Sequence, residues 1–143
     1  MNEKDILLVE DNPDDEQLAV RALKRNNIVN EIIVVRDGQE ALEYLLDENI
    51  PLPALVLLDL KLPKVSGLEV LQKLRSVERT QILPVVVLTT SKEEQDLLGS
   101  YRFGCNSYIR KPVDFIQFTE AMRNLKIYWL MLNEPPPMNR GHQ

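Results

Sequence analysis

The 143-residue chain has the length of one domain, and 44% hydrophobic with 27% charged residues suffices to bury a core. Seventeen Lys and Arg against 22 Asp and Glu give a net charge of -5, which lacks the basic excess of proteins that grip nucleic-acid backbones. The lone cysteine, Cys105, excludes an internal disulfide, and the lone histidine, His142, stands next to last, which removes histidine-based acid/base catalysis, Ser-His triads and His-ligated zinc.

No apolar run approaches the ~18 residues of a membrane span. The start, Met1-Asn2-Glu3-Lys4-Asp5, has neither the basic nor the apolar part of a signal peptide. The expectation is a soluble cytoplasmic protein contacting neither membrane nor nucleic acid. The glycines form no phosphate-binding loop and no dinucleotide-binding turn, so a nucleotide enzyme has no support.

Ile6-Leu7-Leu8-Val9 is the first of several short, continuous apolar runs, the mark of strands buried on both faces. It leads straight into Glu10-Asp11-Asn12-Pro13-Asp14-Asp15-Glu16. Asn12 or Asp11 suits a helix cap, Pro13 the first helical position, and Asp14, Asp15 and Glu16 the first turn, where the helix dipole favours negative charge. Leu18, Ala22 and Leu23 then give a helical stripe.

Ile32-Ile33-Val34-Val35 is the second run, followed by a stripe of Ala41, Leu42, Leu45 and Leu46. Leu55-Val56-Leu57-Leu58 is the third, ending in Asp59-Leu60, with the next helix delayed to Ser66-Gly67 and carried by Leu68, Leu71 and Leu74. Val85-Val86-Val87-Leu88 ends in Thr89-Thr90-Ser91, where Thr90 or Ser91 is expected to cap a short helix striped by Leu97, Leu98 and Tyr101. Ser107-Tyr108-Ile109, the fifth and weakest run, ends in Arg110-Lys111-Pro112.

The last helix carries Phe115, Phe118, Met122, Leu125, Trp129 and Leu132 at three-then-four spacing. Ile127, Tyr128, Leu130 and Met131 occupy its other faces, and a segment apolar all round requires a cover. Asn133-Glu134-Pro135-Pro136-Pro137 stops it. Phe118, Met122, Ile127, Trp129 and Leu130 are therefore expected to form a partner or homodimer surface.

Strict strand-helix alternation predicts an α/β fold: a five-stranded doubly wound parallel sheet with helices on both faces and an extended last helix. Ligands of such sheets sit at the carboxyl ends of the strands. Glu10, Asp11 and Asp59 stand there, and Asp59, too early to cap a helix, must be paired, hydrogen-bonded or metal-bound. Three carboxylates side by side need a cation, and an all-oxygen set with few protein ligands selects Mg²⁺. Thr89 and Lys111 reach the same rim. An aspartate nucleophile needs no general base at neutral pH, so the set suits phosphoryl transfer to Asp59, with Mg²⁺, Lys111 and the Thr89 hydroxyl cancelling charge.

Residues 5–126 resemble a response-regulator receiver domain of two-component signalling, a flavodoxin-like fold. The resemblance rests on Leu8-Val9-Glu10-Asp11-Asn12, Leu57-Leu58-Asp59-Leu60-Lys61-Leu62-Pro63 with Gly67, Pro84-Val85-Val86-Val87-Leu88-Thr89 and Tyr108-Ile109-Arg110-Lys111-Pro112. It implies that Asp59 accepts the phosphoryl group from a histidine kinase and that Asp11, Asp59 and the Lys61 carbonyl ligate Mg²⁺ with help from Glu10. It further implies that Lys111 pairs with the phosphoryl group, that Thr89 and Tyr108 are a switch pair, and that Lys111-Pro112 is a cis peptide.

The resemblance makes the chain a phosphoacceptor rather than an enzyme, passing its signal through the face of the fourth helix, fifth strand and fifth helix to a downstream protein. Residues 127–143 are expected to form an extension of the last helix, to about residue 132, and a proline-rich tail, with no output domain expected. That texture is similar to stand-alone regulators partnered with phytochrome-type photoreceptor kinases. Two rivals use the same residue types: a Mg²⁺-dependent phosphatase with an aspartyl-phosphate intermediate, disfavoured because position 61 is lysine rather than a second aspartate, and a phosphorylation-independent scaffold.

Overall fold

The computed structural model describes residues 5–25, 31–90 and 93–110, together with residues 120 and 123, both helical. The elements are β1 (Ile6–Val9), α1 (Pro13–Arg25), β2 (Ile32–Val35), α2 (Gly38–Leu45), β3 (Leu55–Leu58), α3 (Gly67–Ser76), β4 (Val85–Thr89), α4 (Glu94–Arg102) and β5 (Ser107–Arg110), with a 3-10 turn over Glu78–Thr80. The strands lie in one parallel sheet, as the alternation predicts, in the order β2-β1-β3-β4-β5.

Each apolar run is continuous because alternate residues feed two cores. Leu7, Val9, Val56, Leu58, Val85 and Val87 face one side and pack with Ala41 and Leu45 of α2 and Val70, Leu71 and Leu74 of α3. Ile6, Leu8, Leu55, Leu57, Val86 and Leu88 face the other and pack with Ala19, Ala22 and Leu23 of α1. Burying one Leu or Val side chain fully is worth about 1.5–3 kcal/mol, so each face anchors its helices strongly.

The helix starts are built locally. The Asn12 side-chain oxygen accepts from the backbone N–H of Asp14 (2.8 Å) and Asp15 (3.1 Å), capping α1 as its sequence suggests. Ser66 and Glu69 form a reciprocal capping box on α3, where bonds from the Ser66 backbone and hydroxyl hold the Glu69 carboxyl below its ordinary range.

α4 forms where Leu97, Leu98 and Tyr101 suggest a short helix, but its cap and its buried face differ from what the sequence implies. Neither Thr90 nor Ser91 is its cap residue: the N-cap is Glu93, with no side-chain cap bond, Thr90 is exposed, and Ser91 lies outside the described residues. The connection after β4 is long enough to set the helix start beyond both hydroxyls. The stripe of Leu97, Leu98 and Tyr101 also does not form a buried face, since Leu98 is 57% and Tyr101 54% exposed and Ser100 is the buried residue of α4. Gly99 instead rests on Leu68 of α3, whose methyl carbons would lie 3.5 and 3.6 Å from a β-carbon there, turning the larger side chains outward.

The expected last helix falls outside the described residues apart from Glu120 and Arg123, which form an ion pair of 3.7 Å. So do the partner-surface residues Phe118, Met122, Ile127, Trp129 and Leu130, and the Lys111-Pro112 peptide. Among the described residues no helix is long and apolar enough to cross a membrane.

Candidate functional site

The site is assembled by strand register. Val9 of β1 pairs with Leu58 of β3, so the next residues, Glu10 and Asp59, emerge side by side at the carboxyl rim. The ladder runs one step further: the Asp59 N–H donates to the Val9 carbonyl at 3.1 Å and the Glu10 N–H to the Val35 carbonyl at 3.0 Å. The sheet order places this rim at the point where successive connections leave in opposite directions, the position at which doubly wound sheets hold ligands.

Carboxylate oxygens of Glu10, Asp11 and Asp59 all lie within 4.8 Å of one another. Glu10 is 2% and Asp59 7% exposed, whereas Asp11 faces solvent. At that outer limit two unit charges repel by about 3.5 kcal/mol at an effective dielectric of ~20, and more where they stand closer. Two backbone donors orient the buried pair: the Asn12 N–H reaches Glu10 Oε2 at 3.2 Å and the Lys61 N–H reaches Asp59 Oδ1 at 3.3 Å. An all-oxygen set with one open, solvent-facing member suits a hard divalent cation that keeps part of its water shell.

The loop from β3 to α3 is fixed by two close approaches that only glycine permits. A β-carbon on Gly67 would lie 2.2 Å from the Asp59 carbonyl oxygen, and one on Gly38 would lie 1.9 Å from the Val65 carbonyl oxygen. Lys64 adopts a positive φ of 68° in this loop and pairs with Asp37, the cap of α2, at 3.6 Å. Gly67 of α3 is thereby wedged against the Asp59 backbone and Gly38 of α2 against Val65, and the Lys61 carbonyl sits two residues beyond the carboxylate.

Thr89 ends β4 with no exposure, beside Arg110 in the register, and Tyr108 pairs with Val87 and packs partly buried against the core. The structure therefore puts Thr89 at the end of the strand next to Asp59 and Tyr108 on the edge strand beyond it. Lys111 lies outside the described residues.

Three features away from the acidic rim escape sequence reading. The Arg75 guanidinium donates to the carbonyls of Gly104 (2.9 Å), Thr80 (3.1 Å) and Gln81 (3.2 Å) and to Asn106 Oδ1 (3.2 Å), and burial draws its pKa below the ordinary value. Arg79 donates to the carbonyls of Leu45, Asp47 and Ile50. Two buried side-chain oxygens, Asp5 Oδ2 and Ser100 Oγ, have no hydrogen-bond partner. The partners of both arginines are mostly backbone carbonyls, which leave no mark in side-chain pattern. Asp5, placed directly before an apolar strand, was the one signal available.

The model of the response regulator receiver domain matches residues 6–123. The chain belongs to this receiver-domain family. It is 46% identical over 134 residues to the probable methanogenesis regulatory protein FilR2 of Methanothrix harundinacea (strain 6Ac), covering 92% of this chain and 86% of that one. It is 40% identical over 131 residues to the response regulator Rcp1 of Synechocystis sp., covering 89% of each. The Mn²⁺-bound structure of Rcp1 superposes with a TM-score of 0.86 at 38% identity, over 94% of this chain and 99% of that one. The phosphorylated cyanobacterial phytochrome response regulator RcpA superposes with a TM-score of 0.88 at 40% identity, over the same shares. This receiver domain is thus of the type found in phytochrome response regulators.

Proposed function

We propose that this receiver domain accepts a phosphoryl group on Asp59 from a sensor histidine kinase and signals through the resulting change of charge. The observation that carries the reading is the convergence of the Glu10, Asp11 and Asp59 carboxylates at one rim. Asp59, like Glu10, is a buried acid oriented by a backbone donor, and its second oxygen is the nucleophile: as its bond to phosphorus forms, the P–N bond to the kinase imidazole breaks and that electron pair returns to nitrogen.

Asp11, Asp59 and the Lys61 carbonyl, assisted by Glu10, would hold Mg²⁺, which would supply charge neutralisation at the phosphoryl oxygens. Glu10 keeps the buried rim acidic, and Asn12 fixes its direction through the backbone. Thr89 offers a hydroxyl from β4, and Lys111, the next residue in sequence after β5, an ammonium. A new dianion at Asp59 draws the Thr89 hydroxyl toward it, and Tyr108 turns into the space released, altering the face of α4, β5 and the last helix. The protein turns over no metabolite; its product is a bound state read by a downstream protein. By analogy with RcpA and Rcp1, the donor is a phytochrome-type photoreceptor kinase. A homodimer through the last helix belongs to the same reading and predicts a dimer in sedimentation.

Incubation with a small acyl-phosphate donor and Mg²⁺ tests the core of this reading. One hydroxylamine-labile phosphoryl group per chain is expected, absent from Asp59→Asn and blocked by chelation. Label that survives in Asp59→Asn overturns the assignment.

A further inference from the structure

A groove enclosing about 230 Å³ separates the loop after β3 from the start of α4, walled by Leu60, Leu62, Leu68 and Asp96. Lys61 and Glu93 also line it, and the Lys61 ammonium reaches Glu93 Oε1 at 3.5 Å, joining the two sides. Both ends of this ion pair sit on mechanical parts of the molecule. The Lys61 N–H is bonded to the Asp59 carboxylate, and Glu93 is the N-cap of α4, its carbonyl accepting from the N–H groups of Asp96 (3.1 Å) and Leu97 (3.2 Å).

The first turn of α4 has no side-chain cap bond, and the hydroxyl of its buried residue, Ser100, has no partner. A force on Glu93 therefore acts directly on the first turn, whose amides bond to the Glu93 carbonyl.

We propose that the Lys61–Glu93 ion pair is a latch fastening the first turn of α4 to the phosphoacceptor loop, and that a dianion on Asp59 opens it by taking the Lys61 ammonium. The inference rests on the reading of Asp59 as phosphoacceptor. A phosphoryl group carries about -1.5 to -2 charges, against one on Glu93, and lysine is a point charge on a flexible four-carbon stem that swings between acceptors at little cost. The side chains of Lys61 and Glu93 are 58% and 62% exposed, so water screens the pair and it is weak enough to exchange. Opening releases Glu93 from Lys61, and α4 loses this tie to the loop that senses the charge.

The test is titration of the full chain with beryllofluoride in Mg²⁺, as a phosphoryl mimic, across a double-mutant cycle. Glu93→Gln removes the competitor for Lys61 and is expected to tighten binding about two- to fivefold, the range of exposed ion pairs. Lys61→Gln is expected to weaken it by a similar factor, and in that background Glu93→Gln should change nothing. Before any ligand is added, Glu93→Gln should also move the amide resonances of Glu94–Arg102 toward their beryllofluoride-bound positions. An equal effect of Glu93→Gln in both backgrounds, or none in either, overturns the latch while leaving the phosphoacceptor intact. Failure of the wild-type chain to bind beryllofluoride overturns both.

Discussion

Gly67, the first residue of α3, approaches the backbone of Asp59 so closely that a β-carbon there would stand 2.2 Å from the Asp59 carbonyl oxygen and 2.6 Å from the Leu60 α-carbon. Both neighbours are main chain, so nothing flexible yields. Gly67→Ala is expected to lower stability by about 1–3 kcal/mol, as overpacking does, and to weaken beryllofluoride binding by displacing the acceptor. Urea unfolding and a mimic titration on the same preparation check both parts. An unchanged midpoint would contradict the wedge.

The acidic rim predicts a stability that depends on divalent ions. In EDTA, Asp59→Asn should be more stable than wild type, because one of three mutually repelling carboxylates becomes neutral. Mg²⁺ should reverse the order, since a ligand that binds only the folded state stabilises it by about 2.7 kcal/mol at a hundred times its dissociation constant. Asp11→Asn should lose most of the Mg²⁺ response. Thermal melts with Mg²⁺ and with K⁺ at matched ionic strength decide the point.

Ser100 is fully buried with an unpartnered hydroxyl. Ser100→Ala deletes that oxygen and inserts a better helix former, so a gain of about 1 kcal/mol is expected, seen as a rise in melting temperature. The same change should weaken beryllofluoride binding if the mimic-bound form requires α4 to leave its seat.

Cys105 gives a pH dependence. Burial raises its thiol pKa above the ordinary 9.0, with the nearby Arg75 guanidinium opposing. The folded chain holds this proton more tightly than the unfolded chain, so the contribution to stability is fully present below pH 9.0 and is lost as pH rises through the higher folded value. Cys105→Ala, less stable at neutral pH through lost packing, should close the gap with wild type above pH 9. Urea midpoints at several alkaline pH values would show it.

Much of this architecture is legible in the sequence because its signals are physically extreme. Leu7 and Leu8 of β1 feed opposite cores, so a strand buried on both faces must be apolar throughout, and Asp59 stands out as a charge at the end of such a run. The α4 region is illegible for the opposite reason. Periodicity assumes that the large apolar residue faces inward, yet Gly99 and Ser100 take the inner side and send Leu98 and Tyr101 to water. The Lys61–Glu93 pair joins two loops separated by a strand and a helix, a distance over which charge pattern alone has no reach.

The arginine clamps sit at the end of the sheet away from the acids, where Arg75 ties the end of α3 to the residues leading into β4 and β5, and Arg79 ties the turn after α3 to the residues leading into β3. A floor tied in this way resists the tilting of whole strands, so the charge proposed for Asp59 is expected to act along the rim toward α4 rather than through the base.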